Sequence, residues 1–410
     1  MNQQPYAVPP QWWAPKLHPV WVRMLRRHRL WLLKRKQRIT QIEVSGIESV
    51  QAALASGAGL LITPNHSFHF DAYVLFEAAA RVQRPFYFLA SWQLFAMSGP
   101  WERWMLQMHG IFSIDRETSD LRAIKKAVDI IKTSPYPLVV FPEGEIYHTN
   151  DRLTPFRDGA AAMAISAAKR ADRPIMIVPT ALKAWYQHNP EPRLLEIIQG
   201  IERRFNWRSR PKLAIQDRIY RIATAILSLK EVEYLGAAQT GPLATRLQDL
   251  AETLLARIEA QSAIAAAGGI IPERVKNVRR HHIRLLQKSD LAPEERTRLL
   301  SEMEDLFFVV QLFSYPADYA VAEPSCERLA EIIDKFEEDL LGLTYPTIKG
   351  DRRVALKFGE PIAVEPYIAL PDGAQQLTRE LENRVQGLLN ELNQNGHEGQ
   401  TTHLRSFRSQ

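Results

Sequence analysis

The chain has 410 residues and a single cysteine, which excludes an internal disulfide and indicates a reducing compartment. An apolar fraction of 46% supports a substantial core, in one large domain or two ordinary ones. The net charge is +6 and the pI near 9.3, which favours an anionic partner such as nucleic acid, lipid headgroups or a phosphorylated substrate.

Met1-Asn2-Gln3-Gln4-Pro5 is not the start of a signal peptide, and no run of about 18 apolar residues is present to span a bilayer. The first acidic residue is Glu43. Before it, tryptophans and cations alternate. On a helix, Trp21, Met24, Leu25, His28, Trp31 and Leu32 share one stripe, with Arg23, Arg26, Arg27 and Lys34 opposite. That is the pattern of a helix lying in a membrane interface with its cations toward anionic headgroups. The alternative is a helix that packs its Trp stripe on the main domain and leaves its charges in solvent. No nucleic-acid module follows, so no nucleic-acid partner is expected.

From residue 45 to 187, strand-like and helix-like segments alternate. Helices are expected at Glu48–Ala55, Asp71–Val82, Leu121–Lys132 and Gly159–Lys169. Strands are expected at Gly59–Thr63, Pro85–Ala90, Ile111–Ile114, Leu138–Phe141 and Ile175–Val178, the last closed by Pro179. Such alternation predicts a layered α/β sheet flanked by helices on both faces, with functional residues on the loops at strand ends.

Those loops carry chemistry. After the first strand comes Asn65-His66-Ser67-Phe68-His69-Phe70-Asp71, with Asp71 expected as the N-cap of the next helix. There His66 can take a proton from a hydroxyl, and Asp71 can hold the ring's other nitrogen. A metal set of His66, His69 and Asp71 is the competing reading. Arg116, after Ile111–Ile114, offers a donor fork suited to phosphate. In Phe141-Pro142-Glu143-Gly144, Gly144 permits a turn, and Glu143 can hold a hydroxyl or orient a cation. Arg157 precedes a helix start, a position that favours anions. Taken singly, each of these is more often structural than functional.

Taken together and in order, they resemble the glycerolipid acyltransferase family, which includes 1-acylglycerol-3-phosphate acyltransferases. The matching motifs are Asn65-His66 with Asp71, Gly110-Ile111-Phe112-Ser113-Ile114-Asp115-Arg116, Phe141-Pro142-Glu143-Gly144, Phe156-Arg157-Asp158-Gly159 and Val178-Pro179. Val354–Ile362 looks like the family's closing strand. The resemblance implies a glycerol-3-phosphate acyltransferase-like fold and transfer of a fatty acyl group from acyl-CoA or acyl-carrier protein to a hydroxyl of a glycerolipid such as lysophosphatidic acid. It implies catalysis by His66 and Asp71, acceptor binding by Asn65, Arg116, Glu143, Gly144 and Arg157, and neither metal nor other cofactor. Two positions depart from the pattern. Glu145 stands where Thr or Ser is usual, and Arg157 replaces the usual Lys. A carboxylate beside a phosphate site repels an anionic acceptor unless it is paired or turned away, so a neutral alcohol or other lipid is the alternative acceptor. A metal-dependent hydrolase and a non-catalytic lipid-binding scaffold are the rival classes.

The expected organisation is a membrane-interface segment over 1–44, the α/β core over 45–189, a large helical insertion over 190–345, a closing strand and helix over 346–393, and a disordered tail over 394–410. In the insertion, Leu243, Leu247, Leu250, Leu254 and Ile258 keep helical spacing, as do Leu299, Met303, Leu306 and Val310. Breaks are expected at Gly241-Pro242, Gly268-Gly269, Ala292-Pro293 and Tyr315-Pro316. Arg274, Lys276, Arg279, Arg280, His281, His282 and Arg284 read as a solvated basic face. The expected location is peripheral, on the cytoplasmic side of a membrane.

Overall fold

The apolar run Leu60-Leu61-Ile62 becomes a strand buried at every position, as covering on both faces requires. The computed structural model describes residues 10–117, 120–264, 268–315 and 324–407, without the side chains after residue 394. It divides into two units, one formed by Gln11–Arg116, Asp120–Asn189 and the chain from Gly350 on, the other centred on Pro190–Lys349 and including Glu117.

The first unit holds the sheet. Its strands are β1 (Ile39–Ser45), β2 (Gly59–Pro64), β3 (Tyr87–Ser91), β4 (Ile111–Ile114), β5 (Leu138–Val139), β6 (Ile175–Tyr186), β7 (Arg352–Phe358) and β8 (Ile362–Ala363). The order is β1-β7-β6-β2-β5-β3-β4, with β8 also paired to β6. Only the pairings of β6 with β7 and β8 are antiparallel among the described pairs. Its helices are α1 (Pro19–Met24), α2 (Arg26–Lys36), α3 (Ile47–Ala55), α4 (Asp71–Val82), α5 (Trp92–Met97), α6 (Pro100–Met108), α7 (Leu121–Thr133) and α8 (Gly159–Ala168). Successive residues of β2 point to opposite faces. Leu60 and Ile62 join a core with Val50, Val74 and Leu75 of α3 and α4. Leu61 joins the other core with Val128, Ile131 and Ala164 of α7 and α8. The sheet is therefore mixed, with helices on both faces.

The second unit is helical: α9 (Glu191–Arg204), α10 (Ile215–Leu235), α11 (Leu243–Gln261), α12 (Ile271–Leu286), α13 (Pro293–Phe313) and α14 (Cys326–Asp339). Leu250, Leu254, Leu299, Met303 and Leu306 form its own core. The chain returns to the first unit for β7, β8 and α15 (Gly373–Phe407).

Several expectations need correction. β1 was missed, because it is half-buried and lacks an unbroken apolar run. It pairs with β7, so the segment before residue 45 supplies part of the sheet. The N-terminal segment is two helices parted at Leu25, whose φ of −82° and ψ of 1° interrupt the helix. Its inward residues are Val22, Arg29 and Leu33, and Arg26 pairs with Glu77 through two bonds of 2.9 and 2.7 Å. The single stripe of Trp21, Met24, Leu25, His28, Trp31 and Leu32 therefore does not form. α5 and α6 were not foreseen. The expected closing strand is two strands, separated by Gly359-Glu360-Pro361, and β7 lies inside the sheet. α15 passes the expected end at Leu392, since no proline interrupts the polar sequence; the tail expected to be disordered is helical to Phe407, and residues 408–410 lie outside the described residues. The break at Tyr315-Pro316 falls partly outside them too, since Pro316 is not described. The basic face on α12 is not wholly solvated. Arg274 pairs with Glu252 and Glu259, Arg279 with Glu117, and buried His282 with Glu302.

β6 is the largest difference. Pro179 does not close it. The first half lies between β2 and β8, and the second half, from Thr180, pairs with β7. Proline lacks an N–H and is tolerated where ladder partners change. Pro179 sits at that handover, opposite Thr63.

Candidate active site

β2 ends at Pro64, but β6 runs on, which leaves backbone groups of Leu182 and Ala184 without a strand on that side. Two asparagine amides take its place. Asn65 accepts from the Leu182 N–H at 2.7 Å and donates to the Leu182 carbonyl at 3.0 Å. Asn150 does the same at Ala184, at 2.9 and 2.7 Å. Buried backbone groups must be paired, and here the pairing ties two loops to one strand. Ser67 adds a third tie, its hydroxyl donating to the Thr149 carbonyl at 2.6 Å.

This holds His66 in place. Its Nδ1 lies 3.0 Å from Asp71 Oδ2. The same oxygen accepts the N–H groups of Ser67 and Phe68, at 2.8 and 2.9 Å. Asp71 is buried, and it is the first residue of α4, not its cap; Phe70 occupies the cap position. Its carboxylate turns back to close the loop, so loop and ring share one anchor. The imidazole stacks on Phe141, with centroids 3.9 Å apart and an interplanar angle of 22°. Binding Nδ1 to a carboxylate leaves Nε2 as the position that accepts a proton. His69 meets His148 edge to face at 5.8 Å, and the shared oxygen of Asp71 already faces His66 and two N–H groups, so His66, His69 and Asp71 are not arranged as a ligand set.

Glu143, two residues after Phe141, completes the frame. Its two oxygens accept the backbone N–H of His66 at 2.7 Å and of Thr154 at 3.0 Å. It is buried, and burial pushes its carboxyl up to about 8, against the two backbone N–H groups, which pull it down. Gly144 follows at φ +78°, a left-handed conformation, and an added Cβ would stand 2.8 Å from Arg157 Nε. The backbone conformation favours glycine there, while the near atoms belong to a flexible arginine side chain that can give way.

Comparisons with known proteins bear on the same stretch of chain. Residues 41–183 match a family model described as "Acyltransferase". A 1-acyl-sn-glycerol-3-phosphate acyltransferase of Streptococcus pneumoniae is 33% identical over 113 residues, which is 27% of this chain and 38% of that protein. Over this region the chain is similar to acyltransferases. The chain thus spans about two fifths of the length of that relative, and α9–α14 lie outside the residues that the family model matches.

Within this unit the expected site residues fall into two groups. His66, Asp71, Asn65 and Glu143 form one connected frame. Asn65 and Glu143, expected to touch the acceptor, are hydrogen-bonded to backbone groups, Glu143 to that of His66 itself. Arg116, Glu145 and Arg157 form the second group, beside Gly144. Arg116 donates to the Gly144 carbonyl and lies 3.2 Å from Glu145. Arg157 packs against Gly144, and its main-chain N–H donates to the Pro142 carbonyl at 2.9 Å. Burial first, then the Glu145 carboxylate, push the Tyr147 phenol up to about 12, and a hydrogen bond with Arg157 acts the other way. Sequence reasoning missed Asn150 and Tyr147. Neither carries a local pattern, since the partners of Asn150 lie 34 residues away.

Proposed function

We propose that the protein is an O-acyltransferase that moves a fatty acyl group from a thioester to a glycerolipid hydroxyl, with His66 as general base. The observation that carries this is the His66 Nδ1–Asp71 Oδ2 bond of 3.0 Å in a loop fastened to β6, within a domain of the acyltransferase family. The acceptor O–H gives its proton to His66 Nε2 as its oxygen attacks the thioester carbonyl carbon. The tetrahedral intermediate expels sulfur, and the imidazolium returns the proton to the leaving thiolate. The products are an ester and a thiol. Asp71 holds the ring and stabilises the imidazolium between the two transfers. No step calls for a metal or another cofactor. The donor is acyl-CoA or acyl-carrier protein. The acceptor named for the relative is 1-acylglycerol 3-phosphate; the neutral alternative rests on Glu145.

The reading includes a peripheral place on the cytoplasmic side of a membrane. Among the described residues no helix is long and apolar enough to cross one. What supports surface binding is the outward face of the N-terminal helices. Val20, Met24 and Trp31 are exposed there among exposed Arg23, Arg27, Lys34 and Arg35. Trp101 is exposed on α6 and stacks on Trp104, which touches Trp21. Exposed apolar side chains within a basic field suit an anionic lipid surface.

The test is transfer of a labelled acyl chain from CoA and carrier-protein thioesters into a lipid panel, with His66→Ala in parallel and a fold check on both. Labelled ester formed by the wild type, and reduced about a hundredfold or more in His66→Ala, is the expected result. Transfer that survives His66→Ala sinks the mechanism, and no transfer to any acceptor favours a lipid-binding scaffold.

A further inference from the structure

Two residues beyond Glu143, which holds the His66 backbone, the chain places Glu145, and its carboxylate closes on Arg116 at 3.2 Å. Both side chains are largely shielded, with 8% of Glu145 and 17% of Arg116 exposed. The Arg116 guanidinium also donates to the Gly144 carbonyl, so it is fixed from two sides of one turn. Arg157, the other cation at this turn, is held against Gly144 and bonded to Tyr147. Residues two apart keep their α-carbons within roughly 7 Å. The Arg116–Glu145 pair therefore lies on the turn that follows Glu143, the residue that holds the His66 backbone.

We infer that Glu145 sets acceptor choice: by neutralising Arg116 beside the catalytic histidine, it selects an acceptor with an uncharged, hydroxyl-bearing headgroup over one with a phosphate monoester. This rests on the acyl-transfer reading of the same site and specifies its substrate class. A phosphate would have to displace Glu145 from the Arg116 fork and then remain beside that carboxylate in a poorly solvated pocket, where like charges repel strongly. A hydroxyl meets no such conflict. It donates to the carboxylate and accepts from the guanidinium, so the ion pair presents both halves of a hydroxyl-binding site. The reaction is unchanged: the acceptor oxygen forms the ester bond, the C–S bond breaks, and the proton leaves with the thiol.

The experiment compares 1-monoacylglycerol with 1-acylglycerol 3-phosphate, which differ in the phosphate alone, using one acyl-CoA and the full-length chain. The wild type is run beside Glu145→Thr and the near-isosteric Glu145→Gln, which keeps the side chain's volume should the shorter residue fail to fold. The expected result is a higher kcat/KM on monoacylglycerol in the wild type. In at least one folded variant the ratio should move toward the phosphate acceptor by about ten-fold or more, mainly through KM. Wild-type preference for 1-acylglycerol 3-phosphate overturns the inference and leaves the acyltransferase reading standing. An unchanged ratio in every folded variant overturns the assignment to Glu145. No ester from either acceptor, with CoA or carrier-protein donors, fails the acyltransferase reading itself and the inference with it.

Discussion

One carboxylate oxygen of Asp71 meets three nitrogens, of which one belongs to the His66 ring and two to the loop that carries it. Asp71→Asn keeps the shape but sets an amide against those donors. We expect kcat for acyl transfer to fall about a hundredfold or more while the fold survives; a kcat within a factor of a few of wild type would show that the ring is held by other means. Glu143 yields a pH prediction. The folded protein holds its carboxyl at about 8 and the unfolded chain near 4.5, so between these values the folded state keeps a proton the unfolded state has lost. Its contribution to stability is complete below pH 4.5, falls as pH rises toward 8, and is level above that. Chemical denaturation from pH 5 to 8 should show that decline in the wild type, by a few kcal/mol, and a flatter curve in Glu143→Gln. Parallel curves would mean the carboxyl is ionised throughout. That Asp71 can hold the His66 ring was legible from their spacing, while the expectation of a site there came from the ordered motifs around it. That Asn65 and Glu143 act on the backbone was not legible, because a side chain's hydrogen-bond partner is set by chain segments far away in sequence.

At the scale of elements, periodicity found most of the core. The runs for α4 and β4 end where expected, since each is bounded by turn or breaker residues and keeps one burial period. The misreadings occur where tertiary pairing overrides a local signal. Pro179 reads as a stop, yet β6 continues because its partner changes there. Arg29, within a run of cations, is buried beside His109 and over Phe76, and desolvation pulls its guanidinium down to about 10. The outward face of α1 and α2 supplies the prediction at this scale. Met24→Glu combined with Trp31→Glu should weaken binding to anionic vesicles about ten-fold or more, since each inserted side chain is worth about 1.5–3 kcal/mol. Cosedimentation with vesicles containing phosphatidylglycerol checks it, and unchanged binding would remove this face from the membrane reading.

At the scale of the whole molecule, the two units are stabilised differently. The sheet unit has two apolar cores, one on each face of the sheet. The helical unit adds buried ion pairs to its apolar core: Arg218 with Glu202, Arg246 with Glu231, and Lys349 with Asp334 and Glu337. A buried pair returns little net stability, but removing one partner strands the other charge. Arg218→Ala leaves Glu202 buried without its cation and should lower the stability of the helical unit by about 3–5 kcal/mol. Calorimetry that separates the unfolding transitions checks it, since a chain of two units need not unfold in one step. An unshifted transition would show that Glu202 protonates or finds another partner.

The sequence by itself determined the α/β class, the helical stretch between the strands of the core, and the residues able to do the chemistry. These follow from periodicity, breakers and side-chain chemistry, which act over a few residues. Only the tertiary structure decided that β1 enters the sheet, that β7 lies between β1 and β6, that β6 outlasts Pro179, that Asn65 and Asn150 stand in for a missing strand, and that Glu145 closes on Arg116. The reason is physical: each is a pairing of polar or backbone groups that burial makes obligatory, and the partner is whatever the fold brings within hydrogen-bonding distance.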